Sequence, residues 1–307
     1  MKVAVTGGTG FLGQALVEVL RAAEHSVVAI ARGEKVAPEG LELRRADLVE
    51  ASSWNGVFDG CDAVIHAAAG IAYERRARAW LETVNVEGTR IVCEEALRAG
   101  VERFVHISSV SAIGDSRDGT PLDEESPFTA ERWGIGYFET KRDAEQEIHR
   151  AISRGLPATI VNPGAIFGPS SVRANTNEFL KAIASGRLPF TPPGALSLVD
   201  VRSVSRGVIL AMESGVVGRR YLLTTESLSF EELFDRVASL GGRARWRPRV
   251  PEASLAMLRM IAATLERLHW TPAPFTRESL AALSTPPPFT SERARRELGW
   301  TPTPLDD

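Results

Sequence analysis

Along the first half of this 307-residue chain, apolar and polar positions follow two rhythms, short β-rich apolar runs and longer amphipathic runs. Their alternation is the pattern of strand and helix units in a parallel sheet. Residues 2–5 read as a near-continuous apolar strand, and residues 11–23 as a helix with Phe11, Ala15, Leu16, Val19 and Leu20 on one face. Further strands are predicted over 27–31, 41–44, 63–66, 104–107 and 158–161, the last bounded by Pro157 and Pro163. Helices are predicted over 82–98, with Gly100 as C-cap, and over 134–152. Beyond Gly168 helices dominate, proline becomes frequent and strands shorten. The expected architecture is α/β: a doubly wound parallel sheet over 1–167 and a smaller, mostly helical C-terminal lobe over 168–307. Residues 197–201 and 219–223 still read as strands that return to the main sheet, and 290–300 as one more short helix.

Composition narrows the class. Apolar residues make up 44% and charged residues 24%, as in an ordinary globular protein, and a net charge of -3 with scattered Lys and Arg argues against a nucleic-acid partner. Cys61 and Cys93 each lie in apolar stretches and read as small buried hydrophobes of a reducing compartment rather than as a disulfide. The N-terminal apolar run ends at glycines after five residues, too short for a signal peptide, so the cytoplasm is the expected compartment. The longest apolar segment, 253–265, is broken by Arg259 and falls short of the roughly 20 residues a membrane span needs. No metal site is expected.

Candidate chemistry begins where the first strand ends. Residues 6–13 read Thr-Gly-Gly-Thr-Gly-Phe-Leu-Gly. Gly7 suits a turn without Cβ, Gly10 leaves backbone room for a pyrophosphate, and Gly13 allows close helix-to-strand contact. The phosphates would sit over free N–H groups of the helix opening at Phe11, which makes Gly7, Thr9, Gly10, Phe11, Leu12 and Gly13 the candidate contacts of a Rossmann-type dinucleotide site. An acidic residue at the end of the second strand would hold ribose hydroxyls and select NAD, but Ala31 stands there, followed by Arg32. A guanidinium without a neighbouring carboxylate favours the 2′-phosphate of NADP(H) over NAD(H), although Arg32 also reads as a solvated loop residue. Asp47 suits either the adenine amino group or an N-cap for the segment from Val49.

Tyr137 and Lys141 lie one helical turn apart and share a face. A phenol with a pKa near about 10 is a poor base, and a neighbouring ammonium with an oxidised nicotinamide would lower it. Strand five ends in Ser108, Ser109 and Ser111, at the carboxyl edge where open α/β sheets bind ligands. One of these hydroxyls would donate to a substrate carbonyl oxygen.

Together with Asp47-Leu48, His66-Ala67-Ala68-Ala69, Asn85-Val86-x-Gly88-Thr89 and Asn162-Pro163-Gly164, these motifs occur in an order that resembles the extended short-chain dehydrogenase/reductase family. That family includes NAD-dependent epimerases and dehydratases, and the chain most resembles its dihydroflavonol reductase-like and 3β-hydroxysteroid dehydrogenase-like members. The resemblance implies Ser109, Tyr137 and Lys141 as catalytic residues, with Tyr137 the acid/base and Lys141 its electrostatic partner and ribose anchor. It implies Leu48, Ala67, Ala68 and Ser108 beside the cofactor, and Pro163 and Ile166 flanking the nicotinamide. Asn85 either touches cofactor or tethers backbone. Pairing of the 82–98 and 134–152 helices would give a homodimer.

The family's variations bear on the reaction. Sugar-nucleotide epimerases commonly place an Arg for the diphosphate where Leu196 stands here, and dehydratases follow the catalytic hydroxyl with an Asp-Glu pair where this chain has Val110-Ser111. What remains is hydride transfer between NADP(H) and the carbonyl or alcohol of a small lipophilic substrate, with residues 253–268, Trp270 and Phe275 as either a pocket roof or packed core. The alternatives are a sugar epimerase, on a nucleotide- or lipid-linked sugar, with tightly bound NAD(P), and a non-catalytic dinucleotide-binding regulatory protein.

Overall fold

A strand covered on both faces needs a continuous apolar run rather than alternation, and the first strands have it. β1 (Lys2–Thr6) and β2 (Ser26–Ala31) are buried along almost their whole length. β3 (Glu42–Arg45), β4 (Ala63–His66), β5 (Arg103–Ile107) and β6 (Ala158–Pro163) follow in the chain. Next come β7 (Ala165–Phe167), β8 (Ala195–Asp200), β9 (Arg220–Leu223) and β10 (Glu226–Ser229). These come from a computed structural model, which describes the whole chain except residues 34–39, 115, 117–118, 189, 241–246, 268–275, 285–287 and 307.

Seven strands form one parallel sheet in the order β3-β2-β1-β4-β5-β6-β9. Helices cover both faces. On one, Leu16 and Leu20 of the Phe11–Ala22 helix pack with Val204 and Val208 of the Val201–Ser214 helix and Leu298 of the Glu292–Leu298 helix. On the other, Val92 and Ala96 of the Gly88–Ala99 helix pack with Ile148 and Ala151 of the Gly136–Ser153 helix. The strand order reverses between β1 and β4, which opens a crevice at their carboxyl ends. The fold is the Rossmann-type doubly wound sheet.

The region after Gly168 departs from the expected pattern in one strand. β9 joins the main sheet beside β6, as read for 219–223. The strand read at 197–201 does not return there. It is β8, which pairs parallel with β7 and antiparallel with β10 in a separate three-stranded sheet. The free edge of β6 is already occupied by β9, so β8 finds its partners in the lobe. There Leu198, Leu228, Phe230, Leu233 and Phe234 form a second core with Ile183.

Two helix starts also differ. The helix read from 134 begins at Gly136, after a 3₁₀ turn at Ala130–Trp133 that Gly134 ends in left-handed conformation at φ 60°. The helix read over 82–98 contains a π-helical turn at Glu82–Glu87 before Gly88–Ala99, and Gly100 closes it at φ 65°. On the Gly88–Ala99 and Gly136–Ser153 helices the fully exposed positions, Arg90, Arg98, Gln146, His149, Arg150 and Ser153, are polar, while Ile91, Leu97, Ala99 and Ile152 are partly buried. Cys61 and Cys93 are buried and free. Among the described residues no helix is long and apolar enough to cross a membrane.

Candidate active site

The glycine turn is shaped by close backbone approach. Gly7 has φ 68°, and its Cα faces the backbone of Ala68: an added Cβ would lie 3.1 Å from the Ala68 nitrogen. At Gly13 an added Cβ would lie 2.1 Å from the Gly7 carbonyl oxygen, so the helix could not dock on the turn with any other residue. Gly10 stands just before the Phe11–Ala22 helix, and among the described residues no side chain caps the helix N–H groups. Those donors are left for an anion.

A groove of about 730 Å³ runs from this turn across the ends of β2 and β3, lined by Gly7, Thr9, Gly10, Phe11, Leu12, Gly13, Arg32, Asp47, Leu48, Ala67 and Ala68. All the residues read from the sequence for the adenosine and phosphate half therefore meet in one place. The fit to a dinucleotide is direct: glycines keep the cradle open where side chains would fill it, and an uncapped helix end supplies donors. Arg32 is exposed at the groove edge. Asp47 borders the groove and closes a local turn, one carboxylate oxygen accepting from Val49 N–H at 3.1 Å. It is not a helix N-cap, because residues 47–50 form a turn and the next helix, the 3₁₀ turn Ala51–Trp54, has Glu50 at its N-cap. Trp80 and Val84 also line it, and no spacing in the sequence marked them.

Phe11, Leu12 and Ala67 continue from the groove into a second cavity of about 440 Å³. Here Ser108, Ser109, Ser111, Tyr137, Lys141, Pro163 and Ile166 come together. Lys141 is buried and donates to the Ile107 carbonyl at 2.8 Å. Burial lowers its pKa to about 8, while the charge of Glu145 acts the other way. Tyr137 is buried as well, and burial raises its phenol above the usual range, with the Ser109 hydroxyl beside it pulling back. The lowered tyrosine pKa expected from the sequence is thus absent from the protein alone, because removal of the phenol from water dominates.

The serine loop has a definite register. Ser109 donates to the Ser111 hydroxyl at 3.1 Å and accepts from Ser111 N–H, which turns its oxygen toward the tyrosine side of the cavity. Asn162 Nδ2 donates both to the Ser109 carbonyl at 2.9 Å and to Glu145 Oε1 at 2.6 Å. Gly164 is needed next to it, since a Cβ there would lie 2.5 Å from the Ser197 carbonyl oxygen.

Behind the cavity a buried polar chain ties the sheet to the tyrosine helix. Thr6 Oγ1 accepts from the Ala67 and Ala68 N–H groups and donates to His66 Nδ1 at 2.8 Å. His66 Nε2 meets Thr89 Oγ1, which in turn donates to the Asn85 carbonyl. These partners require a neutral imidazole with its proton on Nε2, and burial holds the His66 pKa down to about 3. Asn85 resolves to a tether: its side chain accepts from Gly70 N–H at 2.7 Å and donates to the Gly70 carbonyl and to Thr140. Gly88 lets the helix settle on Leu48, whose Cβ would be 2.8 Å from an added Cβ. The Asn-Val-x-Gly-Thr motif is therefore a docking device beneath the groove.

The rest of the wall comes from Tyr73, Phe138, Leu196, Ala282 and Phe289, with Arg173 and Asn175 exposed among the lining residues. Tyr73 meets the Tyr137 ring edge to face at 5.7 Å between centroids. The expected roof differs. No described residue of 253–267 lines the cavity, and Leu268, Trp270 and Phe275 lie outside the described residues. The Arg277–Ala282 helix stands in that place and brings Ala282.

A dinucleotide groove opening into a tyrosine-lysine pocket at the switch point of a doubly wound sheet defines a class of nicotinamide-dependent enzymes. The chain belongs to the NAD dependent epimerase/dehydratase family, whose profile matches residues 3–223. It is 36% identical to sterol demethylase protein B of Methylococcus capsulatus, over 99% of this chain and 94% of that protein. It is 33% identical to a putative dihydroflavonol 4-reductase of Synechocystis, over 80% of this chain and 74% of the relative. Among solved structures, a nucleoside-diphosphate-sugar epimerase from Pseudomonas aeruginosa superposes with a TM-score of 0.81 at 27% identity, covering all of this chain and 94% of that one.

Proposed function

We propose that the protein is an NADP(H)-dependent oxidoreductase acting on a carbonyl or alcohol of a small lipophilic molecule. The observation that carries this reading is the 440 Å³ cavity, where Tyr137, Lys141 and Ser109 face walls made by Phe138, Leu196 and Phe289. When bound, the nicotinamide supplies or accepts the hydride. The backbone N–H groups at the start of the Phe11–Ala22 helix hold the pyrophosphate, the Ala67-Ala68 backbone passes beneath the cofactor, and Pro163 and Ile166 flank the ring. Arg32 pairs with the 2′-phosphate, and Ala31 offers it no competing carboxylate.

Tyr137 donates its proton to the substrate oxygen during reduction. Burial keeps the phenol protonated at neutral pH, which suits an acid. Ser109 donates a hydrogen bond to the same oxygen as charge develops there. Lys141, with a pKa near 8, is still an ammonium at neutral pH and stabilises the phenolate that proton transfer leaves. The names of the relatives, a sterol demethylase protein and a dihydroflavonol reductase, speak for ring-bearing apolar substrates. A second reading, a sugar epimerase with a tightly held cofactor, draws on Arg173 and Asn175, which could grip a polar headgroup.

The test is binding and turnover together. NADPH is expected to bind at least about tenfold more tightly than NADH, with Arg32→Ala erasing the difference, since a charge-assisted pair is worth roughly 1.5–3 kcal/mol. Steroid, alkyl and aryl ketones offered with NADPH should include some that are reduced. NADPH bound but oxidised by none of them would overturn the reading. Cofactor that survives purification without net redox turnover would favour the epimerase.

A further inference from the structure

The helix Glu252–Arg267 is apolar on both sides. Its inner side sets Leu255 and Ala262 against Leu280 of the Arg277–Ala282 helix. Its outer side carries Met257, Met260 and Ile261 at i, i+3 and i+4, exposed by 53%, 68% and 47%, with Leu258 beside them at 38%. Arg259 is the one charge between residues 253 and 265, and its guanidinium lies 5.1 Å from the centre of the Trp133 ring. A helix with an exposed apolar stripe opposite its buried one calls for a cover on that second face.

What borders this face is basic. One turn further, Arg267 joins Arg75, Arg76, Arg78 and Arg277 around an open depression of about 860 Å³. All five are exposed; Arg76 is paired with Glu74, and Arg78 with Glu82 and Glu139, so Arg75, Arg267 and Arg277 carry the basic excess. Three carboxylates share the depression, but Glu278 is turned inward: it is buried, accepts the Gly136 N–H at 3.1 Å, and has its pKa raised by burial. The whole chain has a net charge of -3, so the basic excess is local.

We propose that this face docks the protein on an anionic lipid surface. The helix lies in the interface with Met257, Met260 and Ile261 among the acyl chains, and the arginines reach the phosphates of the headgroups. Sixteen residues make a helix of about 24 Å, short of the roughly 30 Å hydrocarbon core, so it rests on the bilayer rather than crossing it. Charge selects the occupant. A second copy paired about a two-fold axis through the stripe would set the two arginine clusters at opposite ends of the interface and leave both without a counter-charge. A bilayer bearing phosphates neutralises them.

Vesicle flotation tests this on the full chain. Phosphatidylcholine vesicles are compared with vesicles holding roughly a third phosphatidylglycerol, a composition that gives the surface a negative potential. The wild type should float with the anionic vesicles and stay behind with the neutral ones. Met260→Glu with Ile261→Glu should lower the bound fraction about tenfold or more, and Arg267→Gln with Arg277→Gln by a similar factor. Unchanged thermal unfolding and NADPH binding in both variants show that only the surface has changed. The proposal is overturned if the protein ignores anionic vesicles, or floats equally with both kinds. It is also overturned if sedimentation reveals a dimer that the Met260/Ile261 variant breaks, which would assign the patch to a second copy. None of these readings depends on the hydride-transfer chemistry.

Discussion

At the scale of single residues, Lys141 sets the pH range of the proposed reaction. It is charged below its pKa of about 8 and neutral above it. Only the ammonium form stabilises a phenolate on Tyr137. The value of kcat/KM for NADPH in the reductive direction should therefore be level near neutrality and fall about tenfold per pH unit above 8. Initial rates across that range check it, and a level profile well above 8 would remove Lys141 from the role. The spacing of Tyr137 and Lys141 was legible in the sequence because an i, i+4 pair shares a face wherever the helix lies. The wall opposite was not. Ala282 and Phe289 reach the cavity from more than a hundred residues away, and no local pattern carries that information. Tyr73 and Trp80 likewise sit in loop and helix positions whose polarity alone says nothing of a ligand.

At the scale of elements, the glycines of the first turn divide their work. Gly13 closes the helix onto the turn, and a Cβ there would strike the Gly7 carbonyl oxygen at 2.1 Å. Gly13→Ala should lose roughly 1–3 kcal/mol of stability by overpacking, together with cofactor affinity. Gly10→Ala meets only the Gly7 oxygen at 3.1 Å. It should keep most of the stability and lose NADPH affinity about tenfold, because its room serves the ligand. Urea unfolding and cofactor titration of the two variants separate these effects, and equal stability losses would contradict the division. Strands β1, β2, β4, β5 and β6 were readable because burial on both faces writes a continuous apolar run. β8 was readable as a strand but not as a member of the second sheet, since its pairing depends on β9 having taken the edge of β6. The π-helical turn escaped for a similar reason: helical periodicity does not register the Asn85 tether to Gly70.

At the scale of the whole molecule, acid should weaken the fold through its buried imidazoles. His66 and His106 stand side by side on β4 and β5, 5.3 Å apart between ring centroids, and neither His106 nitrogen has a hydrogen-bond partner among the described residues. Burial, aided by the nearby Lys141 charge, holds His66 down to about 3 and His106 well below its ordinary 6.5. A depressed folded-state pKa means stability fully present above 6.5 and lost as the pH falls below it, by about 1.4 kcal/mol per unit for each histidine. Glu145 and Glu124, whose pKa values burial raises, act in the opposite direction, so the comparison must be with a variant that keeps them. His106→Leu should lose less stability between pH 7 and 5 than the wild type, by about 2 kcal/mol, measured by urea unfolding. An identical pH dependence would mean that His106 does not titrate in the unfolding transition. The central claim, hydride transfer at Tyr137, has a more direct test. Protein given NADPH deuterated at the reactive carbon, together with the ketone panel, should yield an alcohol carrying the deuterium, and Tyr137→Phe should form it at least about a hundredfold more slowly while still binding NADPH. Equal yield from both proteins, or no labelled alcohol from any ketone, would contradict the account.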